Sequence, residues 1–392
     1  MHKKFIDLLY TSLKHIYENP EIRKCTRCFM DTTAEGIYFD EKGICNYCKD
    51  FEEILKNPRR KIELSLEELI HKIRKDGQSK PYDCIVGISG GVDSSYTLKK
   101  VKELGLRPLA VHMDNGWDSE IASHNIKNLI SSLNVDLYTY VIDWDEYREL
   151  MQAFFDADVI DIELLYDNAM LAVNYHLAAK YGIKFILAGT NTANEGMQIP
   201  NNWSWFKRDK KNIYSLAKRN KVRIKTFPAI GTLDFIIYEF IKGVKWISFL
   251  DYLPEYHKYK ALEELVKDCK YKPYPYKHYE SVFTRFYQGY ILPTKFGVDK
   301  RKLHLSTLYI AGQISKEEAL RQLSGIPYPS EKDLNDDIEY FLKKMEWTEE
   351  KFWEYLQRPA KSHSIYGSEK WLDEMLKKLY KKLRKIVKKI FK

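Results

Sequence analysis

The sequence contains no G-x-x-x-x-G-K-S/T and no G-x-G-x-x-G, which removes two familiar glycine-loop routes to nucleotide phosphates. Long apolar runs are also missing, and no uncharged stretch approaches the length of a membrane span. The opening stretch, MHKKFIDLLYTSLKHIYENP, is too interrupted by charge for a signal peptide, so the expected compartment is the cytoplasm. No internal repeat and no low-complexity linker occurs. The last residues lack acid altogether: from Met375 to Lys392 there are nine Lys or Arg and no Asp or Glu. That tail accounts for the whole net charge of +9, and the remainder balances to zero. The body thus lacks the basic excess expected of a protein wrapped around phosphodiesters, which argues against nucleic acid as a partner.

What is present is a chain of 392 residues, long enough for a sizeable core, with ordinary apolar and charged content. Three regions are expected: 1–60, an amphipathic helix and a cysteine module; 61–230, a parallel α/β sheet; and 231–392, mostly helical with an aromatic, loop-rich stretch at Tyr271–Gly297. Apolar runs predict strands at Tyr82–Ile88, Pro108–Met113, Asp136–Ile142 and Lys184–Ala188. Helical patterns lie between them at Ser94–Leu104, Glu120–Leu133, Glu146–Phe155 and Asn168–Tyr181. In the tail, Leu376, Leu379, Leu383, Ile386, Val387 and Ile390 fall three or four apart among lysines. Such a helix either makes weak contact with an anionic membrane surface or docks on its own domain with a solvated outer face.

Cys25-Thr-Arg-Cys28 and Cys45-Asn-Tyr-Cys48 are two C-x2-C pairs sixteen residues apart. Two such knuckles complete a tetrahedral thiolate site, and the expected metal is structural Zn2+ with no open position. Disulfides are disfavoured in the expected compartment. Cys84 and Cys269 sit in apolar patterns and read as core thiols.

The segment Tyr82-Asp-Cys-Ile-Val-Gly-Ile-Ser89-Gly90-Gly91-Val92-Asp93-Ser94-Ser95 runs from an apolar strand into a helix start. Gly90 and Gly91 let backbone amides approach phosphate oxygens. Ser89, Ser94 and Ser95 add hydroxyls, and the helix N-terminus adds a favourable dipole. Asp93 beside a polyanion suggests a bridging Mg2+. The loop resembles that of the PP-loop ATP pyrophosphatases, a superfamily including GMP, asparagine and NAD synthetases and tRNA-modifying enzymes. The implied fold is α/β, a parallel-sheet PP-loop (HUP-like, adenine nucleotide alpha hydrolase) domain, here with an N-terminal zinc knuckle module and a helical C-terminal region. The implied ATP contacts continue at His112 and Asp114, ending the second strand, and at Gly189, Thr190, Asn194 and Glu195, after the fourth. Both sets lie at carboxyl ends of strands, where such sheets bind ligands.

Within that superfamily the acceptor needs its own argument. Residue 2 is His and no G-x-C-x-G elbow occurs, so ammonia is expected from outside. Thiolating tRNA enzymes use cysteines in the catalytic sheet, and none lies between Cys84 and Cys269. The C-T-R-C and I-C-N-Y-C knuckles, N-E-G-M-Q-I-P-N-N-W-S-W at 194–205, K-H-Y-E-S-V-F-T-R-F-Y-Q-G-Y at 277–290 and L-P-T-K-F-G-V-D-K-R-K-L-H-L-S at 292–306 resemble the N-acetyl sugar amidotransferases of surface-polysaccharide synthesis, the WbpG-like group. Val92 stands where many relatives carry Lys. The resemblance implies an ATP-dependent conversion of acetamido to acetamidino on a UDP-linked N-acetyl sugar. It implies an ammonia-supplying glutaminase–cyclase pair resembling imidazole-glycerol-phosphate synthase, and a place in lipopolysaccharide biosynthesis. Candidate catalytic residues are Asp93, His278, Glu280, Arg285, Lys295 and Arg301. Lys300 is a further anion-binding candidate, and Trp203 and Trp205 could stack on a sugar or base. The alternatives are a PP-loop tRNA-modifying enzyme and a non-catalytic zinc scaffold.

Overall fold

The computed structural model describes residues 2–56, 64–274 and 279–379. Its centre is a sheet of five parallel strands, β1 (Cys84–Gly87), β2 (Pro108–Asp114), β3 (Asp136–Val141), β4 (Phe185–Ala188) and β5 (Lys245–Ser248), ordered β3-β2-β1-β4-β5. β1, β2 and β4 are buried almost throughout, as near-continuous apolar runs require when helices cover both faces. β3 is an edge strand with largely exposed side chains. Successive residues feed opposite cores: Ile85, Leu109 and Val111 join one cluster, while Cys84, Val86 and Ala110 join the other. This is the period of two of a pleated strand.

Four strands coincide with the sequence reading to within two residues at an end. β5 is an addition, because its four residues, Lys-Trp-Ile-Ser, lie in a stretch whose apolar spacing reads as helix. Its pairing with β4, Phe185 to Lys245 through Ala188 to Ser248, carries the sheet past residue 230.

Helix α1 (Lys3–Glu18) buries Phe5, Ile6, Leu9, Leu13 and Ile16, a stripe repeating every three or four residues. Helix α2 (Asn46–Lys56) carries the second cysteine pair. Helix α3 (Leu66–Gly77) opens on a capping box in which Ser65 Oγ accepts from Glu68 N–H and Glu68 accepts from Ser65 N–H. Helix α4 (Val92–Glu103) follows β1 on one face of the sheet and α7 (Leu164–Lys180) covers the other, with α5 (Glu120–Leu133) and α6 (Trp144–Asp156) as the remaining crossovers.

The N-terminal module is not a free appendage. Tyr17 donates to Asp299 Oδ2 at 2.8 Å, Lys302 pairs with Asp31 where both side chains are buried, and Phe29 N–H donates to Ser306 Oγ at 3.0 Å. Tyr290 also donates to the Phe5 carbonyl at 3.1 Å. The N-terminal module is therefore bolted to residues 290–306. Among the described residues no helix is long and apolar enough to cross a membrane.

Candidate phosphate site and cysteine centre

Strand order reverses between β1 and β4: from β1 the chain steps to β2 and β3 on one side, and β4 and β5 lie on the other. Such a switch point opens a crevice at the carboxyl ends of the strands, and residues 88–95 and 189–195 occupy it. Gly90 sits at φ +80°, in the region that disfavours a Cβ, and an added methyl would also press on the Ala122 backbone at 3.1 Å. Gly91 is the N-cap of α4, so the helix N-terminus points out of the turn. Ser89 and Ser94 clasp it: Gly91 N–H donates to Ser89 Oγ at 3.3 Å and Ser94 Oγ donates to the Gly91 carbonyl at 3.1 Å. Ser95 is different. It is fully buried and its hydroxyl lacks a hydrogen-bond partner among the described residues.

Several residues the sequence reading did not name hold this turn. Tyr271 and Tyr274 both donate to the Gly90 carbonyl, at 2.7 and 2.9 Å. Two hydroxyls on one carbonyl fix the orientation of the peptide between the two glycines. Asp93 accepts from Asn194 Nδ2 on both oxygens, at 3.0 and 3.1 Å, and from the Tyr256 hydroxyl. A carboxylate has about four acceptor positions, so these bonds leave room for a further ligand. Burial, then the neighbouring Asp93 charge, pushes the Tyr256 phenol well above its ordinary range. It therefore stays a donor.

The second loop approaches very closely. A Cβ on Gly189 would lie 2.7 Å from the Asp93 carbonyl carbon and the Ser94 nitrogen. Only glycine lets the end of β4 rest on the first turn of α4. Thr190 Oγ1 shares a hydrogen bond with Ser248 Oγ at 3.0 Å, at the end of β5. Asn191 caps the turn Thr192–Glu195, and Asp251 holds it by accepting from Thr192 N–H at 2.6 Å and Thr192 Oγ1 at 3.0 Å. Glu195 is exposed.

His112 is buried beneath the crevice, with Nδ1 3.1 Å from the Ile88 carbonyl and Nε2 2.8 Å from Asp118 Oδ2. Burial opposes its charge, but the Asp118 carboxylate outweighs that and its pKa lies above the usual histidine value. Asp114 accepts from Gly116 N–H at 2.7 Å, shaping the turn after β2. Residues 117–119 meet residues 280–282 through Ser119 N–H to the Glu280 carbonyl at 2.9 Å and Val282 N–H to the Trp117 carbonyl at 2.8 Å. That junction brings the Glu280 carboxylate beside the phosphate loop, 3.8 Å from where a Gly91 Cβ would stand.

The remaining acceptor-side candidates have engagements that do not involve the loop. Arg285 is paired with the buried Asp337 through Nε and Nη2 and lies over Tyr279. The Lys295 side chain is wholly buried, with its ammonium on Asp158 Oδ1 and the Tyr355 and Arg358 carbonyls. Three acceptors saturate the donors of an ammonium group. Lys300 pairs with Glu163 at 3.1 Å. Arg301 grips Asp299, whose buried carboxyl also receives Tyr17. Trp203 is buried with its indole N–H on the Thr33 carbonyl, while Trp205 donates to Asp209 and stacks on His363. His278 lies outside the described residues.

Away from the crevice, the Sγ atoms of Cys25, Cys28, Cys45 and Cys48 lie within 4.8 Å of one another, all buried. The closest pairs are 3.5, 3.7 and 3.8 Å apart, too far for disulfides. Backbone N–H groups of Arg27, Cys28 and Cys45 face Cys25 Sγ at 3.3 to 3.5 Å, favouring thiolate. Gly43, at φ +76°, leaves space that a Cβ would take from Thr26 Cγ2 at 2.7 Å. A tetrahedron with bonds of about 2.3 Å has edges of about 3.8 Å, which is the scale observed. Cys84 and Cys269 are buried core thiols, as the sequence indicates.

Residues 280–384 match a family described as LPS biosynthesis protein WbpG-like, C-terminal domain. The matched segment covers well under half of the chain. Glu280, the first residue of the matched segment, has its carboxylate beside the loop. An uncharacterized protein of Methanocaldococcus jannaschii is 33% identical over 130 residues, which is 32% of this chain and 45% of that protein. The match thus spans less than half of that relative's length. Among solved structures, NMN synthetase from Francisella tularensis is 17% identical with a TM-score of 0.27, covering 55% of this chain and all of the other. NH3-dependent NAD synthetase from Campylobacter jejuni, bound to nitrate, is 15% identical with a TM-score of 0.26, covering 40% and 72%. The U34-tRNA thiolase NcsA from Methanococcus maripaludis, with its 4Fe–4S cluster, is 15% identical with a TM-score of 0.31, covering 78% and 89%.

Proposed function

We propose that the protein is an ATP-dependent amidotransferase that converts an acetamido group of a nucleotide-linked sugar into an acetamidino group, using ammonia from a partner glutaminase. The observation that supports the proposal is the position of the Glu280 carboxylate, from the segment similar to the WbpG-like family, beside the serine–glycine turn at the switch point. It sets a carboxylate of the acceptor-side region against a turn suited to a polyphosphate.

An amide carbonyl resists ammonia because its electrophilicity is low. Attack of the amide oxygen on the α-phosphorus of ATP forms an O–P bond, breaks the bond to the β-phosphate and releases pyrophosphate. The adenylated imidate carbon then accepts ammonia, and departure of AMP with the former amide oxygen leaves the amidine. Amides of the turn and the α4 N-terminus would bind the departing pyrophosphate. In this reading Glu280 would take the proton that ammonia loses. Asp93 and its remaining acceptor position fit Mg2+, which would supply charge neutralisation for the polyphosphate. The cysteine geometry fits Zn2+ held by four thiolates, a structural site.

The test is ATP–pyrophosphate exchange with UDP-acetamido sugars in one arm and bulk tRNA in the other. Exchange that depends on the sugar nucleotide supports the reading. Exchange provoked by tRNA alone, or none with either acceptor, overturns it.

A further inference from the structure

A cavity of about 380 Å³ opens beside α7, and none of its lining residues belongs to the serine–glycine turn. That size lies at the lower end of the range for small-molecule sites, about 300–1,000 Å³. Its wall is aromatic, formed by Tyr175 of α7, Phe206, Phe235 of the helix Thr232–Ile236 and Trp246 of β5. Phe206, Phe235 and Trp246 are part-exposed rather than sealed in the core. The Arg208 guanidinium lies over the Phe235 ring at 3.8 Å, and a guanidinium plane, like an aromatic ring, is a surface on which a base stacks.

Arg208 also points to a ligand. Its Nη2 pairs with Asp373 Oδ1 at 2.7 Å, but its Nε is buried with no hydrogen-bond partner among the described residues. Leaving a buried charged donor unmet is costly, and each such group in a folded protein needs an explanation. Lys377, on the helical residues 370–379, pairs with the same Asp373. One carboxylate cannot occupy every donor of both cations. The apolar tail positions Leu383, Ile386, Val387 and Ile390 lie outside the described residues. Glu239, also on the wall, accepts from Tyr175 at 3.1 Å and keeps acceptor positions that suit the paired hydroxyls of a ribose. Lys207 lines the cavity, while its ammonium is saturated by Asp161 and Asp167.

Leu171 and Tyr175 of the wall are four apart on α7, and Asp167 stands one turn nearer its N-terminus on the same stripe. Because α7 runs back to the start of β4, its first turns stand at the carboxyl ends of the strands. Burial, then the charges of Asp118, Asp167 and Glu280 among others, push the phenol of the adjacent Tyr166 up. The stripe thus leads from the cavity toward the carboxylate beside the loop. We infer that the cavity seats the nucleoside diphosphate of the acceptor, with the base among the rings, the ribose on Glu239 and the diphosphate on Arg208 and Lys377. The sugar would then pass Asp167 toward Glu280. This deepens the proposed function and rests on its nucleotide-linked acceptor. The modest volume suits one end of such a molecule and leaves the acetamido end outside.

The test is calorimetric titration of the full chain with UDP, after filling the phosphate loop with an α,β-methylene ATP analogue and Mg2+. Pyrophosphate is the second probe. The variants are Arg208→Gln, which removes the unmet donor, and Leu171→Trp, which fills the cavity; circular dichroism and thermal melting check that each remains folded. Wild type is expected to bind UDP at least about tenfold more tightly than pyrophosphate, and each variant to lose at least about tenfold. In exchange kinetics Arg208→Gln should raise KM for the UDP sugar by a similar factor and leave KM for ATP unchanged. Absence of UDP binding in wild type, undiminished binding in either folded variant, or pyrophosphate bound as tightly as UDP overturns the inference, whatever the exchange assay shows. UDP binding that both variants lose, without sugar-dependent exchange, upholds the cavity as a nucleotide site and overturns the proposed reaction alone.

Discussion

Replacing Gly189 by alanine tests how closely the two loops of the crevice must fit. The new methyl would meet Asp93 carbonyl carbon and Ser94 nitrogen at 2.7 Å and the Asp93 carbonyl oxygen at 2.9 Å, where ordinary contacts begin at 3.4 Å. These are backbone atoms of the first turn of α4, so no flexible side chain can swing aside. Overpacking of this kind costs about 1–3 kcal/mol. A chain of this length loses about 1 °C in Tm per kcal/mol, so a fall of about 1–4 °C is expected. Activity should suffer more. Separating β4 from α4 by about half an ångström shifts Asp93 and Ser94, and a misplacement of about 1 Å can lower a rate about a hundredfold. The expected result is at least a tenfold drop in kcat/KM for sugar-dependent pyrophosphate exchange, largely as a raised KM for ATP. Gly312→Ala is the control: its methyl meets nothing within 4 Å but the residue sits at φ +72°, so stability falls by about 1–2 kcal/mol while exchange is unchanged. Wild-type exchange kinetics in Gly189→Ala would refute the claim that this seat positions the phosphate loop.

Glu280→Gln is expected to keep pyrophosphate exchange within about threefold while slowing amidine formation about a hundredfold or more, read by mass spectrometry of the sugar nucleotide. Equal losses in both steps would remove its role in the second half-reaction. Cys45→Ser should abolish stoichiometric zinc in elemental analysis and lower Tm, since metal binding is linked to folding; a variant that keeps both contradicts the four-thiolate site. Because the folded pKa of His112 is raised, its bond to Asp118 stabilises fully below the unfolded value of 6.5 and loses effect as pH rises through the folded value. Urea unfolding of Asp118→Asn should therefore show a larger deficit at about pH 5.5 than at about pH 9, and an equal deficit at both would contradict the assignment.

The readable part of the site was local in sequence. Ser89 to Ser95 and the two cysteine knuckles are each built within a few residues, so type and spacing suffice to find them. The partners of Asp93 are not local: Asn194 was named for its loop, but Tyr256 comes from another part of the chain, and no spacing rule links them. Tyr271 and Tyr274 sit in a stretch legible only as aromatic. Lys295, Lys300 and Arg301 looked available for an anion because a basic residue in a sequence shows no partner; folding supplies Asp158, Glu163 and Asp299. Asp299 stood two residues from Arg301 throughout. β5 escaped notice because four residues, one at each end polar, carry too little periodicity to compete with the helical pattern before them.

The bolts between the N-terminal module and residues 290–306 also dictate an order of events in synthesis. Tyr17 waits for Asp299, 282 positions later, and Asp31 for Lys302, 271 positions later. The cysteine knuckles are made early and can come together at once, yet α1 cannot bury its apolar stripe until the distant helices emerge from the ribosome. A nascent chain halted in the middle would hold an assembled cysteine cluster beside an unsheltered greasy helix, an invitation to chaperones that the completed protein no longer extends.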